Sequence, residues 1–275
     1  MRIPTRAAIL IGAPSHGQNF LYGVEKDKKN VARYLQSSQG GGWNSNEIFI
    51  PEMSITQADF AQLQRVQVDY SIVYFSGHGF VTETGEQMLV FQNGAASVRS
   101  LINHSPRQLI IIDACRTYTG ARISGPEISD GYASFDGFSE ARELFDKYIL
   151  NSPPGITIVY ATQRGTAAID HPIGGYFTTA LLNASVSQRA EYRHQAVTVD
   201  SLIKPIRSRL QHLGNNQIPE VCKVAGNLQV PFALSFADHE RAAIQFKAHQ
   251  PTSTGEWVGA AGLLFLLIAA LAVSK

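Results

Sequence analysis

The chain has 275 residues and a formal net charge of +1, with 44% hydrophobic and 16% charged residues. That balance suits one packed domain with an appendage; it excludes a disordered chain and gives no bulk attraction to a nucleic acid, so no nucleic-acid partner is expected. There are two cysteines, Cys115 and Cys222, too few for a disulfide framework, and thiols kept reduced in a cytosolic compartment are the simpler reading.

Residues 7–13 (AAILIGA) form a continuous apolar run that reads as a buried strand entering a loop, not as a signal peptide. Residues 24–36 carry Val24, Val31, Tyr34 and Leu35 at helical spacing, and the glycines from Gly40 to Gly42 end that helix. A short strand is predicted over residues 46–51 (NEIFIP), then a helix over 56–66 with Thr56 as its N-cap. Residues 70–75 (YSIVYF) are a buried strand that opens directly into Ser76, Gly77, His78 and Gly79. Residues 107–113 (RQLIIID) are another, followed at once by Ala114, Cys115 and Arg116. Between residues 120 and 137 Gly, Ser, Asp and Pro are frequent, and a helix is predicted over 138–150 with Ser139 as cap. One more strand is expected over residues 156–161 (ITIVYA), then a short helix over 175–182. After Leu210 the pattern becomes irregular, with a last helix expected over 237–247. Strands alternating with helices predict an α/β fold: a mainly parallel sheet with helices on both faces.

The tail differs in kind. After a polar linker at residues 249–256 (HQPTSTGE), residues 257–273 (WVGAAGLLFLLIAALAV) carry no charge. As a helix this run covers about 25 Å, the short end of what spans a bilayer. A helix buried in the domain is the alternative, but such helices keep a polar stripe and this run is apolar all round. A single-pass C-terminal membrane anchor is therefore expected, with the preceding domain cytoplasmic.

In open parallel sheets, ligands bind beyond the carboxyl ends of the strands. His78 and Cys115 each lie just past such an end. If their strands are neighbours, both side chains face one crevice. A cysteine nucleophile needs an imidazole to accept its proton, and the imidazole then protonates the leaving amine. Gly77 and Gly79 let backbone approach a substrate carbonyl. The N–H groups of Gly79 and Cys115 would make an oxyanion hole, each donor contributing about 3 kcal/mol to the transition state. Taken singly, a histidine after a strand is usually structural and a lone cysteine usually buried; the joint placement is what points to catalysis. A zinc site needs three or four ligands, and His16, His104 and His171 make no ligand pattern with Cys115. Neither a metal nor another cofactor is expected.

Asp113 precedes Cys115 by two positions and so points to the same side of the strand. Its carboxylate would lie beneath the nucleophile, where it would bind a substrate arginine through two aligned hydrogen bonds. The alternative role for Asp113 is to cap backbone N–H groups at the strand end.

The stretch from Tyr74 to Gly79 and the stretch from Asp113 to Arg116 resemble the His and Cys motifs of caspase-like peptidases, and are most similar to those of bacterial caspase-domain proteins and metacaspases. Leu21, Tyr22, Gly23 and Val24 with Asp27 and Asn30 look like an early stretch of that family. Val159 through Thr162, then Gly165, Asp170 and Gly175 to Leu182, look like the segment after its subunit junction. The spacing of the two motifs is shorter than the roughly 50 residues of true caspases. Asp113 stands where caspases have Gln and metacaspases Asp; the second pocket acid of metacaspases aligns on Arg164, which would neutralise Asp113 if it entered the same pocket. Arg116, Thr117 and Tyr118 stand where metacaspases have His-Ser-Gly.

The resemblance covers about residues 5–235 and implies a caspase–haemoglobinase α/β fold, a His78–Cys115 dyad, and substrate-binding roles at Asp113 and Arg164. It divides the chain into a peptidase domain at 1–236, a connecting segment at 237–256 and the membrane helix at 257–273. Within the peptidase domain, residues 1–116 match the large subunit, 117–154 the linker and 155–236 the small subunit. The linker of such enzymes is often cut on activation. The expected function is a membrane-tethered cysteine endopeptidase, an effector cleaving protein or peptide substrates after a basic residue under an upstream activator. The rival is a non-catalytic scaffold of the same fold that recruits partners at the membrane.

Overall fold

The computed structural model describes residues 2–15, 17–51, 57–118, 140–226, 229 and 231–241. The stretch expected to be a membrane anchor, residues 119–139 of the expected linker, and the proposed caps Thr56 and Ser139 lie outside the described residues. Among those described, no helix is long and apolar enough to cross a membrane.

In chain order the elements are β1 (Arg6–Ala13), α1 (Val24–Gln36), β2 (Ile48–Phe49), α2 (Gln57–Gln64), β3 (Tyr70–Gly77), β4 (Gly79–Val81), β5 (Gln87–Phe91), β6 (Gly94–Ser97), β7 (Arg107–Asp113), α3 (Ala141–Asn151), β8 (Gly155–Tyr160), α4 (Tyr176–Ser187), β9 (Gln195–Val197), α5 (Val199–His212), β10 (Glu220–Gly226) and β11 (Ala233–Ser235). Six strands form the main sheet in the order β10-β8-β7-β3-β1-β2. All neighbours are parallel except β10, which runs antiparallel to β8.

The four central strands are almost wholly apolar because both faces of the sheet are covered. Alternation along the strands sorts their side chains between two cores. Tyr70, Ile72 and Tyr74 join Leu109 and Ile111 on one face, beneath α1, α3, α4 and α5. Val73 and Phe75 join Ile110 and Ile112 on the other, beneath α2 and β5. Helices therefore do lie on both faces, though most crowd the first. Arg6 ties the start of β1 to α3: its buried guanidinium stacks 4.7 Å from the Trp43 ring centroid and lies 3.5 Å from Asp146. Arg142 forms a two-pronged pair with Glu47 at 2.7 and 2.6 Å.

Two features differ from the sequence expectation. A three-stranded antiparallel sheet, β4-β5-β6, occupies the stretch between the His and Cys motifs. Its strands are short and β6 is Gly-Ala-Ala-Ser, which carries no alternation to detect. Beyond Leu210, where irregularity was expected, the chain forms β10 and β11; before it, α4 continues past Leu182 to Ser187, and β9 and α5 fill a stretch for which no element was expected. Strand β10 is an edge strand with mostly exposed residues, so its sequence lacks a buried run. Smaller shifts are local. The strand expected over 46–51 is a single turn of 3-10 helix, Ser45–Glu47, followed by the two residues of β2. Of the last predicted helix, residues 238–241 form its first turn.

Candidate active site

Strands β3 and β7 are neighbours, with Ser76 directly opposite Asp113. His78 and Cys115 each follow by two residues, so the sheet delivers both to the same end. They line one cleft together with Ser76, Asp27, Asp113 and Asp170. The cleft is small, about 30 Å³, enough to hold water.

His78 Nε2 lies 2.6 Å from the carbonyl oxygen of Asn19. A carbonyl only accepts, so Nε2 carries the proton and Nδ1 is left as the basic nitrogen. The carbonyl of His78 accepts from Val90 N–H at 2.9 Å. The Cys115 thiol points to the carbonyl of Ala168 at 3.5 Å. Burial pushes the thiol pKa up, and the negative charge of Asp113 pushes it further. Gly79 packs against this loop: a Cβ there would lie 2.9 Å from the carbonyl oxygen of Cys115.

The carboxylates come from three separate segments. Asp113 Oδ2 accepts from the backbone N–H of Thr178 at 3.1 Å and from its hydroxyl at 2.6 Å. These donors belong to the first turn of α4, whose positive dipole end favours an anion. Asp27, in the first turn of α1, accepts from Ser76 Oγ at 3.0 Å and from Gly175 N–H at 2.9 Å. Asp170 accepts from Gly23 N–H at 3.1 Å. A Cβ at Gly175 would lie 2.6 Å from Asp113 Oδ2 and 3.2 Å from Asp27 Oδ2, so the two carboxylates converge on that glycine. Burial, and then the charge of Asp113, raises Asp27 well above the ordinary carboxylate range. Burial likewise lifts Asp113 to about 6, with Asp170 adding to the rise.

A family model described as "Caspase domain" matches residues 5–228. The chain belongs to the caspase-domain family of cysteine peptidases. Its structure is also similar to the crystal structure of caspase-1 from Spodoptera frugiperda, with a TM-score of 0.52 over 85% of this chain and 91% of that one. The two are 14% identical, so this likeness speaks to the fold alone. No curated protein matches the chain.

Within this caspase domain the sequence-predicted site residues separate. His78, Cys115 and Asp113 meet in the cleft, while Arg164 does not reach it. The loop after β8 carries Arg164 away, so that a Cβ on Gly85 would touch its guanidinium at 3.2 Å. There it lines a separate groove of about 620 Å³ with Arg116, Tyr160 and Cys222. The carboxylate that lies beside Asp113 in the cleft is Asp27, to which the sequence assigns no substrate-binding role. Its signal was present: Asp27 sits three residues after Val24 and four before Val31, a charge on the apolar stripe of α1, and it is buried. Asp170 had no comparable mark. The caps considered for Asp113 are real, since it accepts the Thr178 N–H, but they coexist with its place in the cleft. His171 is buried, and its Nδ1 accepts from Ile173 N–H at 3.3 Å. Among the described residues, no group of three or more His, Cys, Asp and Glu side chains is arranged to hold a metal ion.

Proposed function

We propose that this caspase-domain chain is a cysteine endopeptidase that cuts after a basic residue, with Cys115 as nucleophile and His78 as acid and base. The observation that carries the reading is a single cleft, at the ends of two adjacent strands, holding both residues and three carboxylates. His78 Nδ1 takes the thiol proton as Sγ attacks the scissile carbonyl. The oxyanion that forms is met by the N–H groups of Gly79 and Cys115. When the tetrahedral species collapses, the C–N bond breaks and His78 returns its proton to the leaving amine. A water then attacks the thioester, His78 takes one of its protons, and the carboxylic acid departs as the Sγ–H bond is restored.

Asp27, Asp113 and Asp170 give the pocket its preference. Buried carboxylates crowded together are unfavourable alone and favourable around a guanidinium, which donates paired hydrogen bonds. Attack on the scissile carbonyl requires Sγ to leave the Ala168 carbonyl, to which it points at 3.5 Å in the resting chain.

The apolar run at 257–273 supports a membrane tether, with the peptidase on the cytoplasmic side acting on protein substrates. The decisive experiment is mass spectrometry of peptides cut by the wild type beside Cys115→Ala. Cuts after Arg or Lys, absent in the variant, are expected; cuts after Asp contradict the proposed pocket. For the tether, full-length chain is expected to sediment with membranes and resist high-salt extraction. Full-length chain that stays soluble without detergent refutes it.

A further inference from the structure

Strand β5 touches both members of the dyad from behind. Its main chain holds one: Val90 N–H donates to the carbonyl of His78 at 2.9 Å. Its first side chain holds the other: Gln87 Nε2 donates to the carbonyl of Cys115 at 3.1 Å. The two contacts are fixed relative to each other because Gln87 and Val90 belong to one strand, paired antiparallel with β4.

Gln87 is buried and its amide is fully used. The second Nε2 hydrogen goes to Met88 O at 3.1 Å, and Oε1 accepts from Arg116 Nε at 3.1 Å. The peptide between Cys115 and Arg116 is thereby held at both ends, since Arg116 N–H donates to Thr166 O at 3.0 Å. Rotation of that peptide would swing the Cα–Cβ bond of Cys115 and carry Sγ away from His78. Gly79 keeps the path clear: a Cβ there would lie 2.9 Å from Gln87 Nε2 as well as from the Cys115 carbonyl. A glutamine is the residue this geometry asks for. Asparagine is one methylene too short, glutamate would turn an acceptor toward two carbonyls, and methionine has the shape without the donors.

We infer that Gln87 is a positioning residue for the nucleophile, holding Cys115 in register with His78 through the strand that carries both contacts. The inference rests on the proposed thiol chemistry of Cys115. Misplacement of a reacting atom by about 1 Å can cost about a hundredfold in rate.

The test uses the full chain in detergent, with Gln87→Met and Gln87→Glu beside the wild type. Four quantities are measured: kcat and KM on a cleaved peptide, alkylation of Cys115 by iodoacetamide, and its labelling by a peptidyl chloromethyl ketone. Iodoacetamide needs only an accessible thiol; the peptidyl reagent needs Sγ aligned with a bound carbonyl. Gln87→Met is expected to lower kcat by about 10- to 100-fold. KM and the iodoacetamide rate stay within about twofold, while peptidyl labelling slows in step with kcat. Gln87→Glu keeps an acceptor for Arg116 yet loses the donor to Cys115, so an equal or larger loss of kcat locates the effect at the Cys115 carbonyl. Unchanged kcat and peptidyl labelling in Gln87→Met overturn the inference. So does an equal fall in both alkylation rates, which is the signature of a disturbed fold. Should the wild type cleave no peptide, the endopeptidase reading fails on its own, and the ratio of the two alkylation rates still decides for or against Gln87.

Discussion

Replacing Asp113 by asparagine separates the pocket's charge from its shape. An asparagine Oδ1 still accepts from the Thr178 N–H and hydroxyl that now hold Asp113 Oδ2. What is lost is the negative charge, and three consequences follow. The first is stability. Asp113 is raised from 3.8 to about 6 in the folded chain, chiefly by burial. A raised carboxylate stabilises the fold when protonated, below the unfolded pKa, and that contribution disappears as pH climbs through the folded value. The wild type therefore loses about 3 kcal/mol between pH 4 and 7 from this group. Asp113→Asn lacks that loss and is expected to be the more stable protein at pH 8. The second is specificity. Removing one partner of a buried charge pair costs about 3–5 kcal/mol, a hundredfold or more in kcat/KM for arginine peptides. In the wild type this parameter should rise with pH through about 6, where Asp113 ionises; the variant should lack that limb. The third runs in the opposite direction. Asp113 holds the Cys115 thiol up, so its removal should speed iodoacetamide alkylation at pH 7. Thermal denaturation at pH 5 and 8, a fluorogenic panel with Arg, Lys, Asp and Leu at the cleaved position, and alkylation kinetics read all three. Arginine preference retained within about threefold would refute the assignment of the pocket.

His78→Ala and Cys115→Ala should each lower hydrolysis by orders of magnitude, and the double variant by no more than the worse single one, because the two act as a unit. Substantial turnover in Cys115→Ala on the same fluorogenic panel rules out cysteine catalysis. Gly175→Ala drives a methyl group to 2.6 Å from Asp113 Oδ2. Hydrolysis after arginine should fall about tenfold or more while iodoacetamide still labels Cys115; full activity would show that the carboxylates do not meet at this glycine.

The elements that position His78 and Cys115 were legible because their physics is local. Strand β7 and helix α1 take their predicted boundaries. The run Leu109–Ile112 inside β7 is apolar on both faces, and Val24, Val31 and Leu35 define one face of α1. The hairpin of β4 and β5 was illegible for the converse reason. Its side chain Gln87 meets the Cys115 carbonyl, a backbone group 28 residues away, and such a contact is invisible to any periodicity. The acidic pocket was half legible. Asp113 follows from the alternation of its own strand, whereas Asp27 reaches the cleft because α1 packs against β3, placing its carboxylate 3.0 Å from Ser76. Arg164 was misplaced because alignment along the chain says nothing about which side of the sheet a loop takes.

The same arrangement couples specificity to chemistry. Asp113 faces the cleft floor and also raises the thiol beside it. In the resting chain, then, the group proposed to recognise substrate adds to the rise that burial gives the proposed nucleophile. A guanidinium entering the pocket cancels that charge and lowers the thiol by Asp113's share of the rise, while burial still holds it up. A leucine side chain fills space without cancelling anything and leaves the thiol high. Replacing arginine by leucine in a substrate should therefore lower kcat as well as raise KM, since the missing cation is needed in the chemical step and not only in binding. In Asp113→Asn the kcat difference between the two substrates should shrink, because no charge remains to be cancelled. Single-turnover acylation of Cys115 by matched arginine and leucine esters measures this directly. Equal acylation rates at saturation in the wild type would show that the pocket selects without activating.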